Sequence, residues 1–542
     1  MRLGLLIARL LQHPRSDKHR DSTLVDRPVE RSGMGHISYA DLPVLDTEVL
    51  VVGAGPTGLM AALTLGRVGV GAVVVDPKSG PTRESRALAV QPRTMEIYDQ
   101  LGLAERVEAE AVMAPQVSVG TRRAPLPFAE LQAGATRFPG IRVFEQSRNE
   151  AMLAEALAAQ GGPVLWQHRL ISFIEAPSEE SGVTALVESV DGLLRVRARW
   201  CLGADGAGSL VRRLLDLPFE GVTDEALFWV ADVRGASGVR DDAVSFRFGT
   251  ELFCVAFPLG PDGHVRLIAL APGIEVTPEE ALGSLRRQLG IDHRSLDWFS
   301  TYRVHHRCAT RFRVGPVFLA GDAAHVHSPV GGQGMNTGLQ DAHHLALTIA
   351  DVRHGRAEPA ALDRYEAERR PVARHLVSST DRAFGLVARR GRLAGLLRLR
   401  GSALPPLLFG AVRRLPVGRV LAGWLGQYRI RYHFTAADRL PSWAEDPLVG
   451  RRLPPAHDNQ LPLRALAWQW HTYGGVPVEM SAAPEWIEGP HHFAADATGR
   501  LRPDRAYLVR SDGFVAAAIP RRGPTPDAAA LDEALRAHRL AC

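Results

Sequence analysis

The stretch Thr47–Asp76 constrains the chain most. It runs TEVLVV, GAGPTG, an apolar segment, then AVVV closing on an aspartate. An apolar, β-branched run without polar alternation predicts a strand buried on both faces. Glycines follow at Gly53, Gly55 and Gly58. In a strand–turn–helix unit the first permits the tight turn, the second lets a pyrophosphate approach the backbone, and the third lets the helix pack on the strand. A helix to Leu65 and a second strand, Ala72–Val75, then lead to Asp76, 23 residues after Gly53. A carboxylate there reaches ribose hydroxyls. The unit predicts a doubly wound α/β domain that holds an adenine dinucleotide, FAD or NAD.

Residues 315–350, GPVFLAGDAAHVHSPVGGQGMNTGLQDAHHLALTIA, form a second unit of strand, loop and helix. Val317–Leu319 is the strand. Gly321 and Asp322 end it, and Pro329, Gly331, Gly332 and Gly334 follow. The helix is expected to begin near Asn336 and Thr337, both N-cap types. Glycines admit close backbone approach, and a helix N-terminus offers unpaired N–H groups with a partial positive charge. The stretch predicts a cradle for a flat or anionic group beside one fixed carboxylate, Asp322.

At 542 residues the chain exceeds one core, so two to four domains are expected. Hydrophobic content of 46% and charged content of 23% are those of a soluble globular protein. Cys201, Cys254, Cys308 and Cys542 make neither CxxC nor a zinc spacing, which predicts reduced thiols in a cytoplasm. A net charge of +5 gives no basis for a nucleic-acid partner. No apolar run approaches the roughly 20 residues of a bilayer span, so membrane association is not expected. Residues 1–45 are predicted to be a disordered extension, and a start at Met34 would lose nothing recognisable.

Between the two units, Arg86 precedes a helix that starts near Pro92. Residues 112–145 read as β, Gln146–Ala159 as a helix, and 163–200 as three strands. A GADGAGSLVR turn (203–212) follows. From Pro218 to Tyr302 the pattern is β, interrupted by a helix over 277–290. Phe228, Trp229, Phe246, Phe248, Phe253 and Phe257 recur there, as a pocket lining or as the buried face of an antiparallel sheet. After a helix over 362–384, the segment from Arg382 to Ala437 contains no Asp or Glu. Pro454–Pro462 reads as a linker to a small separate α/β domain, with Asp512–Gly513 as a hairpin turn.

GAGPTG with Asp76, GADGAGSLVR, and GDAAHVHSPVGGQGMNTGLQDA (321–342), in that order, resemble the single-component FAD-dependent aromatic hydroxylases of the p-hydroxybenzoate hydroxylase fold. The resemblance covers 46–385. The tail PDRAYLVRSDGFVA (503–516) resembles the thioredoxin-like domain of larger members, the phenol and polyketide-tailoring hydroxylases. The implied fold is a Rossmann-like FAD-binding domain (46–111, 140–217, 303–385) with an inserted, mostly antiparallel β substrate domain (112–139, 218–302). A helical region and linker (386–446) and a thioredoxin-like α/β domain without CxxC (447–542) complete it.

The resemblance also implies roles. Gly53, Gly55 and Gly58 lie on the FAD pyrophosphate and Asp76 on the ribose, where the family often has Glu. Arg86 and Gln146 contact the dinucleotide. Asp205 serves both FAD and nicotinamide nucleotide. Asp322 meets the ribityl chain, and Pro329, Gly331, Gly332, Met335 and Asn336 wrap the isoalloxazine. No catalytic side chain is assigned; the backbone of Met335 and Asn336 would steady the reduced ring. The implied reaction is hydroxylation of a phenolic or polyketide-type aromatic through a C4a-hydroperoxyflavin, with NADPH (or NADH) and O2 as co-substrates and no metal. Epoxidation, oxidative decarboxylation and a non-catalytic flavin-binding role are the alternatives, and a homodimer is left open.

A phenol of pKa near 10 is only about 0.1% ionised at pH 7, equivalent to roughly 4 kcal/mol. A base or positive field should supply part of that. The candidates are Arg247, His264, Arg266, Tyr302 and His305, with no choice among them from sequence. His325 and His327 are expected to be structural.

Overall fold

The computed structural model describes residues 39–82, 87–120, 127–249, 252–271, 273, 275–327, 332–388, 416–434, 440–479 and 483–541. The expected extension lies mostly outside these, but its last residues already belong to the fold: Tyr39–Asp41 form a 3-10 turn, and the first strand starts at Val44. In chain order the elements that position the site are β1 (Val44–Val52), α1 (Pro56–Arg67), β2 (Ala72–Asp76), α2 (Pro92–Gln100), α3 (Gln146–Ala159), β3 (Gly192–Gly203), β4 (Val317–Leu319), α4 (Gly334–Arg353), α5 (Asp363–Ala388) and α6 (Pro416–Leu425).

The four strands form one parallel sheet in the order β4-β3-β1-β2. Their register aligns the ends: Val52 sits opposite both Val75 and Gly203, and Gly203 opposite Leu319. All three glycine-rich motifs therefore leave the sheet at one carboxyl edge, where open α/β sheets bind ligands. The apolar run of β1 is explained by its place. Val49, Leu50 and Val51 have no exposed surface, so both faces of the strand are covered, and it has sheet neighbours on both edges. Region 163–200 holds four strands, not three: Val164–Trp166, Arg169–Phe173, Val183–Ser189 and β3.

A second sheet contains Phe219–Arg234, Ala243–Phe248, Phe253–Gly260, His264–Leu270 and Ser295–Ala309, antiparallel throughout. Gln116–Val119 adds a parallel edge. Period-2 alternation divides its side chains. Trp229, Ala231, Val265 and Leu267 pack on the helix Pro278–Leu289, which Thr277 and Glu280 start with a capping box. Phe228, Val230, Ile268 and Leu270 face the other way, onto Leu88, Ala89, the short helix Phe128–Gln132 and Ala422 of α6. That short helix interrupts the stretch read as β. At five residues it has too little periodicity to show.

The C-terminal, thioredoxin-like sheet runs Glu488–Phe493, Gln469–Tyr473, Arg505–Val509, Val515–Arg522, Thr525–Pro526, followed by the helix Ala528–Ala537. It is not separate: its apolar residues join those of the first sheet in one core. The expected linker is part of this packing. Asn459 is fully buried and donates to the Pro454 carbonyl and the Tyr473 hydroxyl. Leu453, Leu463 and Leu466 are buried around it, each worth roughly 1.5–3 kcal/mol. The basic stretch 389–415 lies outside the described residues, and no described helix is long and apolar enough to cross a membrane.

Candidate functional site

At the first turn Gly53 has φ +106°, and a Cβ there would lie 2.4 Å from the Ala204 carbonyl oxygen. A Cβ at Gly58 would lie 1.9 Å from the Gly53 oxygen, whereas at Gly55 it would meet nothing within 4 Å. Two glycines serve packing, and the third opens onto space at the N-cap of α1, where no side chain caps the helix. Uncapped N–H groups facing open space suit an anion. Asp76 is 5% exposed; its oxygens accept from the Ala54 and Lys78 amides at 2.6 and 2.8 Å. The carboxylate thus holds the turn, and each oxygen keeps further acceptor capacity for a hydroxyl.

At the second turn Asp205 Oδ2 accepts from the amides of Leu210 and Val211 at 2.7 and 3.1 Å. Its other oxygen is buried without a partner among the described residues. An orphaned carboxylate oxygen at the mouth of the sheet is where a ligand hydroxyl fits. Arg212 ties this turn to the third, donating to the carbonyls of Ala207 and Ala323, each at 2.7 Å.

At the third turn Gly321 has φ +58°. Its amide donates to Asp341 of α4, which also pairs with His325 at 2.7 Å and Arg369 at 2.7 Å. Burial pushes the Asp341 carboxyl up, but Arg369 and His325 outweigh it and hold it below the ordinary carboxylate range. The imidazole of His325 therefore has a structural partner, and no described cluster of three His, Cys, Asp or Glu residues could hold a metal. Asp322 is solvent-accessible yet ringed by protein. Desolvation raises its pKa, with His325 pulling the other way.

Gly332 has φ +61°, and a Cβ there would lie 2.8 Å from Ala89 Cβ. The helix α4 starts at Gly334, two residues before the expected position, with Gln333 as an N-cap whose side chain does not cap the helix and donates instead to the Trp424 carbonyl at 3.2 Å. Asn336 is not the cap because its amide is used elsewhere. Oδ1 accepts from the Gln91 amide (2.9 Å) and the Thr94 hydroxyl (2.7 Å), and Nδ2 donates to Ala89 and Gly332 carbonyls (2.7 and 2.8 Å). Met335 meets Asn149 of α3, and Gln146, at the head of that helix, bonds Glu150 at 2.9 Å. Arg86, Pro329 and Gly331 lie outside the described residues.

The structure sorts the substrate-side candidates. Arg247 donates to the carbonyls of Gly120 and Gly238, both at 2.6 Å. His264 stands 4.0 Å from Asp297, and His305 contacts Thr223 at 3.0 Å on an exposed edge. Tyr302 packs on Phe228 at 5.8 Å between ring centres. Arg266 is 2% exposed and grips Asp232 through two bonds of 2.6 Å, with Glu145 at 2.9 Å. Of the aromatics, Trp229 stacks on Phe299 at the far face, whereas Phe228, Phe246, Phe248, Phe253 and Phe257 share the near one. Asp232, Glu145 and Arg212 were not singled out. The one local signal was Asp232 inside the apolar run 226–233.

A Rossmann-like sheet with three glycine-rich turns at one edge, joined to a mostly antiparallel second sheet, has the architecture of a flavoprotein of the FAD-binding class. Residues 46–380 match the family model described as FAD binding domain. A 12-dehydrotetracycline 5-monooxygenase/anhydrotetracycline 6-monooxygenase of Streptomyces rimosus is 32% identical over 88% of this chain and 96% of its own. Among solved structures, an anhydrotetracycline hydroxylase from Streptomyces rimosus superposes with TM-score 0.71 at 29% identity, over 91% of this chain and 99% of that one. An aromatic hydroxylase from angucycline biosynthesis gives 0.72 at 31%, with the same coverages. The chain belongs to the single-component FAD-dependent aromatic hydroxylases and is a monooxygenase.

Proposed function

We propose that this monooxygenase hydroxylates a phenolic, polyketide-type polycyclic aromatic at the expense of NADPH (or NADH) and O2. The observation that carries the reading is the strand register that brings Gly55, Asp205 and Asp322 to one edge of the sheet. The relative named for 12-dehydrotetracycline and anhydrotetracycline, and the aromatic hydroxylase from angucycline biosynthesis, support a polycyclic substrate. Bound FAD supplies the redox chemistry, taking reducing equivalents from the nicotinamide and activating oxygen.

The chain's own residues bind and orient. The N-terminus of α1 at Gly55 takes the pyrophosphate and Asp76 the ribose. The unpaired oxygen of Asp205 accepts from a cofactor hydroxyl, and Asp322 faces the ribityl chain. Gln146 completes the envelope among the described residues; Arg86, Pro329 and Gly331 lie outside them. The first amides of α4, from Gly334 to Asn336, direct N–H groups and the positive end of the helix at the ring edge that becomes anionic. The substrate lies on the face of the second sheet that carries Phe228, Phe253 and Phe257, so 112–139 with 218–302 form the substrate domain. Replacing Asp322 by Ala should weaken FAD retention in a titration of the apoprotein. Unchanged affinity would remove Asp322 from the ribityl site.

A further inference from the structure

The thioredoxin-like domain has no redox cysteine pair, yet its hairpin Arg510–Gly513 is driven into the FAD-binding domain. Arg510, Ser511 and Asp512 are 3–5% exposed. Arg510 donates to both oxygens of Glu368 at 2.9 Å and to both oxygens of Asp512 at 3.1 and 2.8 Å. Glu368, on α5, also receives His344 of α4 at 2.7 Å. The hairpin backbone is held by α2: Arg93 donates to the Asp512 carbonyl at 2.6 Å, and Gln100 to the Ser511 carbonyl at 3.1 Å. Gln100 in turn contacts His343 of α4 at 3.2 Å.

We propose that Arg510 and Asp512 are positioning residues for the cofactor: the hairpin clamps α2 near both of its ends, through Arg93 and Gln100, and α4 at its middle, and the two helices meet at the ring-binding turn Gly332–Asn336. The inference rests on the placement of the flavin ring at that turn. At the turn, Asn336 joins α4 to the first residues of α2 through Gln91 and Thr94. Eight residues on, about 12 Å along a rigid helix, His344 meets Arg510 of the hairpin at 3.0 Å, and His343 beside it reaches the hairpin through Gln100. α2 is thus held at both ends and α4 at its start and its middle, and the spacing between them sets where Gly332 meets Ala89. Buried ion pairs contribute little net stability compared with apolar packing of the same volume, and fix geometry instead. A polar, fully engaged hairpin here has the makings of a register pin.

The test uses the full-length protein. Arg510→Gln and Arg510→Lys are compared with the native protein for FAD dissociation constant, visible absorption and circular dichroism of the bound flavin, and far-UV circular dichroism. Arg510→Gln should raise the dissociation constant roughly 3- to 30-fold and shift the visible flavin bands, with Arg510→Lys recovering part of both. Arg502→Gln, which breaks only an exposed pair with Asp504 on the same domain, should change neither. If Arg510→Gln does not fold, Gln100→Met should give the same changes at smaller size. A folded Arg510→Gln or Gln100→Met protein with native affinity and native flavin bands overturns the clamp. Gly332→Ala separates the two layers: silence there overturns the ring's placement and the clamp with it, whereas an effect there with silence at Arg510 overturns the clamp alone.

Discussion

Asp205 shows how much of this site hangs on single side chains. One of its oxygens accepts from the first two amides of the short helix Leu210–Leu214, and the other is buried without a partner among the described residues. The two jobs separate by substitution. Asp205→Ala should lose these two bonds, about 1 kcal/mol in urea denaturation, while Asp205→Asn, whose amide oxygen accepts equally, should keep them. Both should weaken FAD retention, because the free acceptor is lost in each. Arg266 makes the opposite case. Arg266→Met leaves Asp232 as an uncompensated carboxylate, about 9% exposed, and should cost roughly 3–5 kcal/mol by the same assay. Gly53, Gly58, Asp76 and Asp205 were legible because the local turns demand those types, and Gly55 from its place in the glycine motif. Asp232, Glu145 and Arg212 were not, since their partners come from elements 34 to 121 residues away.

At the scale of elements, α3 coincides with its expected bounds, Gln146–Ala159, and β4 with Val317–Leu319. Each is delimited by local features. The start of α4 was misplaced because Asn336, read as a cap, reaches across to α2. That helix also lies against α1 with almost no space. A Cβ on Gly338 would approach Thr57 Oγ1 to 2.5 Å and Gly321 Cα to 3.1 Å. Gly338→Leu should therefore push α4 off the Gly321 turn. Overpacking of this kind costs typically 1–3 kcal/mol. A lowered melting temperature together with faster FAD loss would show the displacement, and a native melting temperature would contradict it.

Over the whole molecule, the tail's fold was legible but its attachment was not. The Asp512–Gly513 hairpin is where expected, but nothing local says that Arg510 is answered by Glu368. The joined core also buries histidines neutral. Burial pushes the pKa values of His343, His471 and His538 down to about 3. Between their ordinary value near 6.5 and that level the unfolded chain binds protons that the native chain does not. Each group then removes up to about 1.4 kcal/mol of stability per pH unit as pH falls. The urea midpoint should drop between pH 8 and pH 5; a midpoint that rises would contradict the burial of these rings. The central claim concerns the reaction. The most direct measurement is NADPH oxidation by the FAD-loaded protein across a panel of polycyclic phenols, followed by product mass. The expected result is oxidation stimulated by a subset of them, with each product heavier by one oxygen atom. A protein that takes up no FAD, or whose NADPH oxidation yields hydrogen peroxide and unaltered phenol across the panel, would contradict it.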